Sequence, residues 1–134
     1  MRNKFVSALV LAVVTSSALA DWVMIGSEEN ATVYFDSSTI RRSGDLVKMW
    51  GLKSYFKSSP GRIGKDFWFL SEMSRFEYDC ADYSARLHDV SFYSEPMGTG
   101  KLLQTESFSP PSQWMSVSPT SVGMALLKEA CGTK

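Results

Sequence analysis

The sequence predicts an α+β fold: an antiparallel sheet of about six strands with a C-terminal helix packed on one face and tied to it by a disulfide. Three observations carry this reading. Short runs rich in β-branched and aromatic residues, broken by turn clusters, recur through residues 22–107. One stretch of helical spacing, Val122 to Ala130, follows the helix-start cluster Ser118-Pro119-Thr120-Ser121 and meets a stop at Gly132. Two cysteines, Cys80 and Cys131, are placed to join the end of a strand to the end of that helix.

The elements follow in chain order. Trp22 to Ile25 reads as a short apolar strand ended by Gly26 and the polar run Ser27 to Asn30. Thr32 to Asp36 is a second strand, after which Asp36-Ser37-Ser38 supplies capping oxygens for a turn or a single helical turn. Ser43-Gly44-Asp45 is a turn. Leu46 to Phe56 then forms a long strand with Leu46, Trp50, Leu52 and Phe56 on one face and Val47, Met49 and Tyr55 on the other. Apolar residues on both faces call for a packing partner on each side. Lys57 to Asp66, with Ser-Ser-Pro-Gly and a second glycine, reads as a mobile loop.

Phe67 to Cys80 returns as strand, with Phe76, Tyr78 and Cys80 on one side and Arg75, Glu77 and Asp79 on the other. Ala85 to Tyr93 alternates less cleanly: Leu87, Asp89, Ser91 and Tyr93 stand opposite Arg86, His88, Val90 and Phe92. Glu95 to Gly100 is a turn and Lys101 to Ser107 a strand, completing a hairpin. Ser109-Pro110-Pro111-Ser112 is a stiff linker, and Trp114 to Val117 adds a little more strand. On the helix, Val122, Ala125, Leu126 and Cys131 are expected to line the buried stripe, with Lys128 and Glu129 outside.

The N-terminus sets the compartment. Arg2 and Lys4 form a basic head, Phe5 to Val14 an apolar run too short to span a bilayer, and Ala18-Leu19-Ala20 the small-x-small pattern of a cleavage site. Residues 1–20 are thus expected to be a signal peptide cut before Asp21, leaving residues 21–134 as one domain with no membrane span. The final compartment is the periplasm, the cell surface or the medium. In an oxidising compartment an even pair of cysteines most often forms a disulfide, and neither Cys80 nor Cys131 sits in a Cys-x-x-Cys redox motif. Loss of Arg2 and Lys4 turns a balance of 14 basic and 14 acidic residues into 12 against 14. A chain near minus two has no general basic field for nucleic acid, and clusters such as Arg41-Arg42 read as solvated surface.

The ordered elements Val33-Tyr34-Phe35-Asp36, Val47-Lys48-Met49-Trp50, Glu77-Tyr78-Asp79-Cys80, Tyr93-Ser94, Met97-Gly98-Thr99-Gly100, Trp114 with Val117 to Pro119, and Ala130-Cys131 carry a resemblance. From Trp22 to Cys131 the chain resembles the surface-adhesin protein E family. The resemblance implies a curved antiparallel sheet with a C-terminal helix tied to its concave face by a disulfide, and a tendency to form a homodimer. It also implies an outer-membrane adhesin's role, binding host matrix and serum proteins such as vitronectin, laminin and plasminogen. It carries over no ligand motif and so no binding residue.

Chemical motifs point elsewhere than catalysis. Met97-Gly98-Thr99-Gly100-Lys101-Leu102 lacks the first glycine and the final Ser/Thr of a phosphate loop and reads as a hairpin turn. His88 is the sole histidine, expected at the surface or an edge, and Asp89 is expected on the opposite face. Asp79, Asp82 and Asp89 lack calcium-loop spacing, and Glu72 with Glu77 reads as a solvated strand face rather than a carboxylate pair. Asn30-Ala31-Thr32 matches a glycosylation sequon of the kind that chance supplies often. No catalytic residue, metal ligand or cofactor is assigned.

Aromatic content is high, Trp22, Trp50, Trp68 and Trp114 with eight Phe and five Tyr, and most of these residues are expected in the core, with Trp68 the exception. Three consecutive aromatics on a strand cannot share one side, so Phe67, Trp68 and Phe69 are the candidate contact surface for a partner or a second copy. Two function classes remain. One is a non-catalytic, adhesin-like binding protein for a host matrix or serum protein or an envelope protein; the other is a periplasmic small-molecule carrier or accessory factor with a pocket between sheet and helix.

Overall fold

The computed structural model describes residues 21–61 and 67–132. The expected signal peptide, residues 1–20, and residues 62–66 of the expected loop lie outside the described residues. Among the described residues eight strands precede one α-helix: β1 (Val23–Ser27), β2 (Ala31–Phe35), β3 (Arg41–Ser43), β4 (Leu46–Pro60), β5 (Trp68–Asp79), β6 (Ser84–Glu95), β7 (Thr99–Ser107), β8 (Met115–Ser116) and α1 (Val122–Cys131). Six of them form the main antiparallel sheet in the order β1-β2-β4-β5-β6-β7, while short β3 pairs with β4 and short β8 with β6.

Local chemistry explains most boundaries. Asp36 caps the single turn Ser37–Thr39 by accepting from the Ser38 amide at 3.0 Å, as the Asp-Ser-Ser cluster predicts. Ser121 caps α1 through its Oγ, which accepts from the Met124 amide at 3.1 Å. Gly132 ends α1 at φ +76°, a conformation costly for any residue with a Cβ, and its amide reaches the Lys128 carbonyl.

Strand β4 runs further than the sequence indicates. Lys57–Pro60 is strand rather than loop, because a register slip between Ser54 and Ser59 absorbs the extra residues and pairing resumes at Ser59↔Phe69 and Pro60↔Trp68. A proline is tolerated there because it closes the strand. A second irregularity, between Arg75 and Phe76, puts one extra residue into β6 around His88. Before it Leu87 pairs with Phe76; after it Val90 pairs with Ser74, so Leu87, Val90 and Phe92 share one face. Simple alternation separates Leu87 from Val90 and Phe92, and the bulge is the reason it fails.

Helix α1 covers one end of the sheet. Phe35, Val47, Met49, Tyr78 and Ala85 pack with Met124, Leu127 and Ala130 in the main core. The helix therefore buries a stripe different from the expected one: Val122, Ala125 and Leu126 are only half-buried. Helical geometry puts Leu127 and Met124 four and seven residues before Cys131, on one face. The disulfide from Cys131 to Cys80, with Cα atoms 5.8 Å apart, fixes that face against the sheet.

A second, smaller core forms where β4 and β5 extend beyond the helix. Phe69, Val90 and Phe92 are buried, backed by Tyr55, Phe67 and Leu87. Phe69 meets Phe92 at 4.7 Å and Tyr55 edge-on at 5.3 Å between ring centroids. The core aromatics are thus phenylalanine and tyrosine. The tryptophans are peripheral: Trp68 is exposed, as the exception among the aromatics, while, contrary to expectation, Trp22 and Trp50 are only half-buried and Trp114 is exposed.

The outer face of the sheet, away from α1, is covered in part by the turn Pro96–Gly98. Its Gly98 amide donates to Ser71 Oγ at 2.8 Å and its Met97 amide to Ser54 Oγ at 3.2 Å. Leu52 and Met73 lie directly beneath Gly98, which supplies the second-side packing that apolar residues on both faces of β4 require.

Candidate binding surfaces

Among Phe67, Trp68 and Phe69 the burial divides sharply. Phe69 is buried in the smaller core, and Phe67 is half-buried, packed on Phe69, Phe92 and buried Gly61. Trp68 is 66% exposed. Period-two geometry requires this: with both neighbouring rings turned inward, the middle side chain must face out. Phe56, 64% exposed, belongs to the same hairpin arm built by the far halves of β4 and β5.

On the helix side, the space beneath α1 is filled by Met124 and Leu127, but an open groove of about 230 Å³ lies beside it. Phe76, Val90, Phe92, Phe108 and Leu126 wall this groove, and Lys53 and Glu72 are among its polar members. Tyr55 donates to Glu72 Oε1 at 3.1 Å, and Lys53 pairs with Glu28 at 3.0 Å. Burial pushes the Glu72 carboxyl above its ordinary range, against the opposing pull of the Lys53 charge and the Tyr55 hydrogen bond. Burial, then the Glu72 charge, likewise raises the Tyr55 hydroxyl.

The outer face carries a polar cluster that alternation alone does not predict. Glu77 Oε1 accepts from Arg86 Nε at 2.5 Å and lies 3.1 Å from His88 Nε2. Burial alone would raise the Glu77 carboxyl; hydrogen bonds from His88 and Arg86, and the Arg86 charge, hold it below the ordinary range. Arg86 also stacks over Trp114, 4.4 Å from the ring centroid. His88 is therefore a largely covered member of an ion network, not a free surface residue. Asp89, expected on the opposite face, is turned by the bulge onto the same side and pairs with Arg75 at 2.6 Å.

The remaining motif residues are engaged structurally. Asp79 Oδ1 accepts from the amides of Ala81 and Asp82, closing the β5–β6 turn. Glu72 and Glu77 lie on opposite faces of β5, five residues apart, and do not form a carboxylate pair. In the Met97–Lys101 turn the amides of Met97, Gly98 and Lys101 bond to Ser54, Ser71 and Ser94 hydroxyls, so they form no phosphate cradle. Among the described residues no group of three or more His, Cys, Asp or Glu is placed to hold a metal ion. No helix among them is long and apolar enough to cross a membrane.

A six-stranded antiparallel path with its one helix stapled to the end of the central strand is the arrangement the sequence resemblance implies, and the family profile described as surface-adhesin protein E matches residues 22–132. The chain belongs to the surface-adhesin protein E family. Membership in a family of surface adhesins makes it an exported or surface-located protein. Crystal form II of Haemophilus influenzae protein E superposes with a TM-score of 0.61 at 17% identity, over 82% of this chain and 86% of that one. Protein E from non-typeable Haemophilus influenzae gives 0.56 at 16% identity, over 86% and 79%. The selenomethionine form gives 0.60 at 16%, over 82% and 84%. These likenesses establish a shared protein E fold. No curated protein matches the chain.

Proposed function

We propose that the mature chain is a non-catalytic, adhesin-like binding protein that recognises a macromolecular partner, such as a host matrix or serum protein, through the aromatic hairpin arm. The observation that carries this reading is Trp68. It stands 66% exposed on a strand whose flanking aromatics are turned inward, so the arm presents a large apolar side chain beside a packed aromatic cluster. Aromatic anchors of this kind dominate protein interfaces, and truncating one typically costs about 2 kcal/mol or more, roughly a 30-fold loss of affinity.

The test is surface plasmon resonance of the mature domain against immobilised vitronectin and laminin, with Trp68→Ser beside wild type and sedimentation velocity to follow self-association. Binding that falls at least tenfold in the variant, with an unchanged melting profile, is the expected result. Equal binding by the two proteins refutes the role of the arm. The groove beside α1 supports a second reading, a carrier of a small apolar molecule. That reading predicts saturable uptake of an apolar fluorescent probe that is displaced when Leu126 is replaced by Trp.

A further inference from the structure

The outer face also holds an open pocket of about 370 Å³ between β3, β4, β5 and the turn after β2, lined by Ser38, Thr39, Arg41, Lys48, Trp50 and Arg75. Residues scattered over 38 positions of sequence meet there because of strand register. Arg41 pairs across with Lys48, and Trp50 with Arg75, so three cations surround one half-buried indole. Arg75 leans toward the ring, its Cζ 6.0 Å from the Trp50 centroid.

The charges in this pocket are unequally matched. Arg75 Nε is paired with Asp89. Lys48 stands opposite Glu77 in register, but that carboxylate is already taken by Arg86 and His88. Among the described residues neither Arg41 nor Lys48 has a carboxylate within ion-pair distance. The Arg41 guanidinium is nevertheless held in place, since its Nη1 donates to the carbonyls of Ser38 at 3.1 Å and Ile40 at 2.8 Å. Its remaining donors, with those of Lys48, are left for a ligand. Thr39 Oγ1 accepts from the Trp50 amide at 3.0 Å and donates to the Asp36 carbonyl at 2.6 Å, which locks the wall beside the ring.

We propose that this pocket binds an anionic sugar: a pyranose ring lies against the Trp50 indole while its sulfate, carboxylate or phosphate is held between Arg41 and Lys48. Each part has a physical counterpart. An aromatic face receives the apolar C–H face of a sugar ring, and a pinned guanidinium with an ammonium provides the charge-assisted donors an oxyanion needs. A purely apolar ligand would leave two cations unpaired, and a bare inorganic anion would leave the indole unused. The site lies on the opposite side of the sheet from the groove and does not depend on the role of Trp68.

The experiment titrates the mature, ¹⁵N-labelled domain with a heparin-derived tetrasaccharide, a hyaluronan tetrasaccharide, glucose 6-phosphate and neutral maltotetraose, following indole and amide shifts. At least one anionic probe is expected to shift the Trp50 indole while those of Trp22, Trp68 and Trp114 stay in place, and the neutral probe is expected to shift none. Which probe binds identifies the anion. Arg41→Gln and Lys48→Gln should each weaken binding about tenfold, because each removes a charge-assisted contact. Added salt should weaken it as well. A Lys57→Gln, Lys101→Gln double variant removes equal charge elsewhere and should bind within twofold of wild type. The proposal is overturned if no anionic probe moves the Trp50 indole, or if the two double variants, Arg41→Gln with Lys48→Gln and Lys57→Gln with Lys101→Gln, bind alike.

Discussion

Replacing Cys80 and Cys131 together by serine removes the one covalent link between sheet and helix. The bond spans a sequence separation of 51 residues. In the chain-entropy account, closing a loop of that length lowers the entropy of the unfolded chain by about 14 cal/mol/K, or about 4 kcal/mol at room temperature. A domain of this size unfolds with an entropy near 0.24 kcal/mol/K, so the double variant should melt about 15 °C below wild type. Noncovalent support for α1 is modest: three buried side chains, Met124, Leu127 and Ala130, and one cap at Ser121. A free helix of ten residues is marginal in water. The helix should therefore detach before the sheet unfolds, which hydrogen exchange would record as early loss of protection at Ala125 to Cys131 while β4 and β5 remain protected. Calorimetry of the two proteins under non-reducing conditions, with thiol titration of denatured wild type, checks the reasoning. A melting point within about 3 °C of wild type, or two titratable thiols in the wild-type protein, would refute it.

Two further outcomes follow from the outer face. Gly98 sits at φ +67° with room for a Cβ only 3.0 Å from Met73 Sδ, so Gly98→Ala should lose about 1–2 kcal/mol in urea titration; an unchanged midpoint would show that the turn is not clamped onto β5. Glu77 is held below the ordinary carboxylate range, so its contribution to stability is fully present above about pH 4.3 and is lost as pH falls through the depressed folded-state value. The stability gap between wild type and Glu77→Gln should accordingly be open on the neutral side of about pH 4.3 and close on strong acidification, and a gap independent of pH would refute the assignment.

The fold was legible wherever residue chemistry acts locally. Asp36, Ser121 and Gly132 mark their turn and helix ends because capping is decided within three or four residues. Alternation from Leu46 to Ser54 in β4 and from Phe76 to Asp79 in β5 was readable because no slip falls inside those two stretches. What stayed hidden is what depends on the neighbouring strand. The run Val122 to Cys131 is apolar on more than one side, so spacing alone offers two stripes, and only the attachment of Cys131 to Cys80 chooses Met124, Leu127 and Ala130. The extra residue at His88 has no signature in composition, yet it decides that Val90 and Phe92 enter the core and that Asp89 meets Arg75.

The same dependence on register separates the two faces by role. On the helix side, residues far apart in sequence converge to exclude water: Val47, Met49 and Leu127 are each no more than 1% exposed. Substitution there changes the volume of a closed core and registers first as lost stability. On the outer face the convergence leaves polar and aromatic groups open: among the described residues Arg41 and Lys48 meet no carboxylate, and Trp50 is only half covered. Cations at the surface that form no ion pair contribute little to folding, so their removal should barely move a melting curve. A residue whose loss leaves stability intact while abolishing ligand capture is therefore to be sought on the outer face and on the Trp68 arm. Combining the two readouts, melting and binding, on single substitutions from each face distinguishes a surface retained for recognition from one retained for the fold.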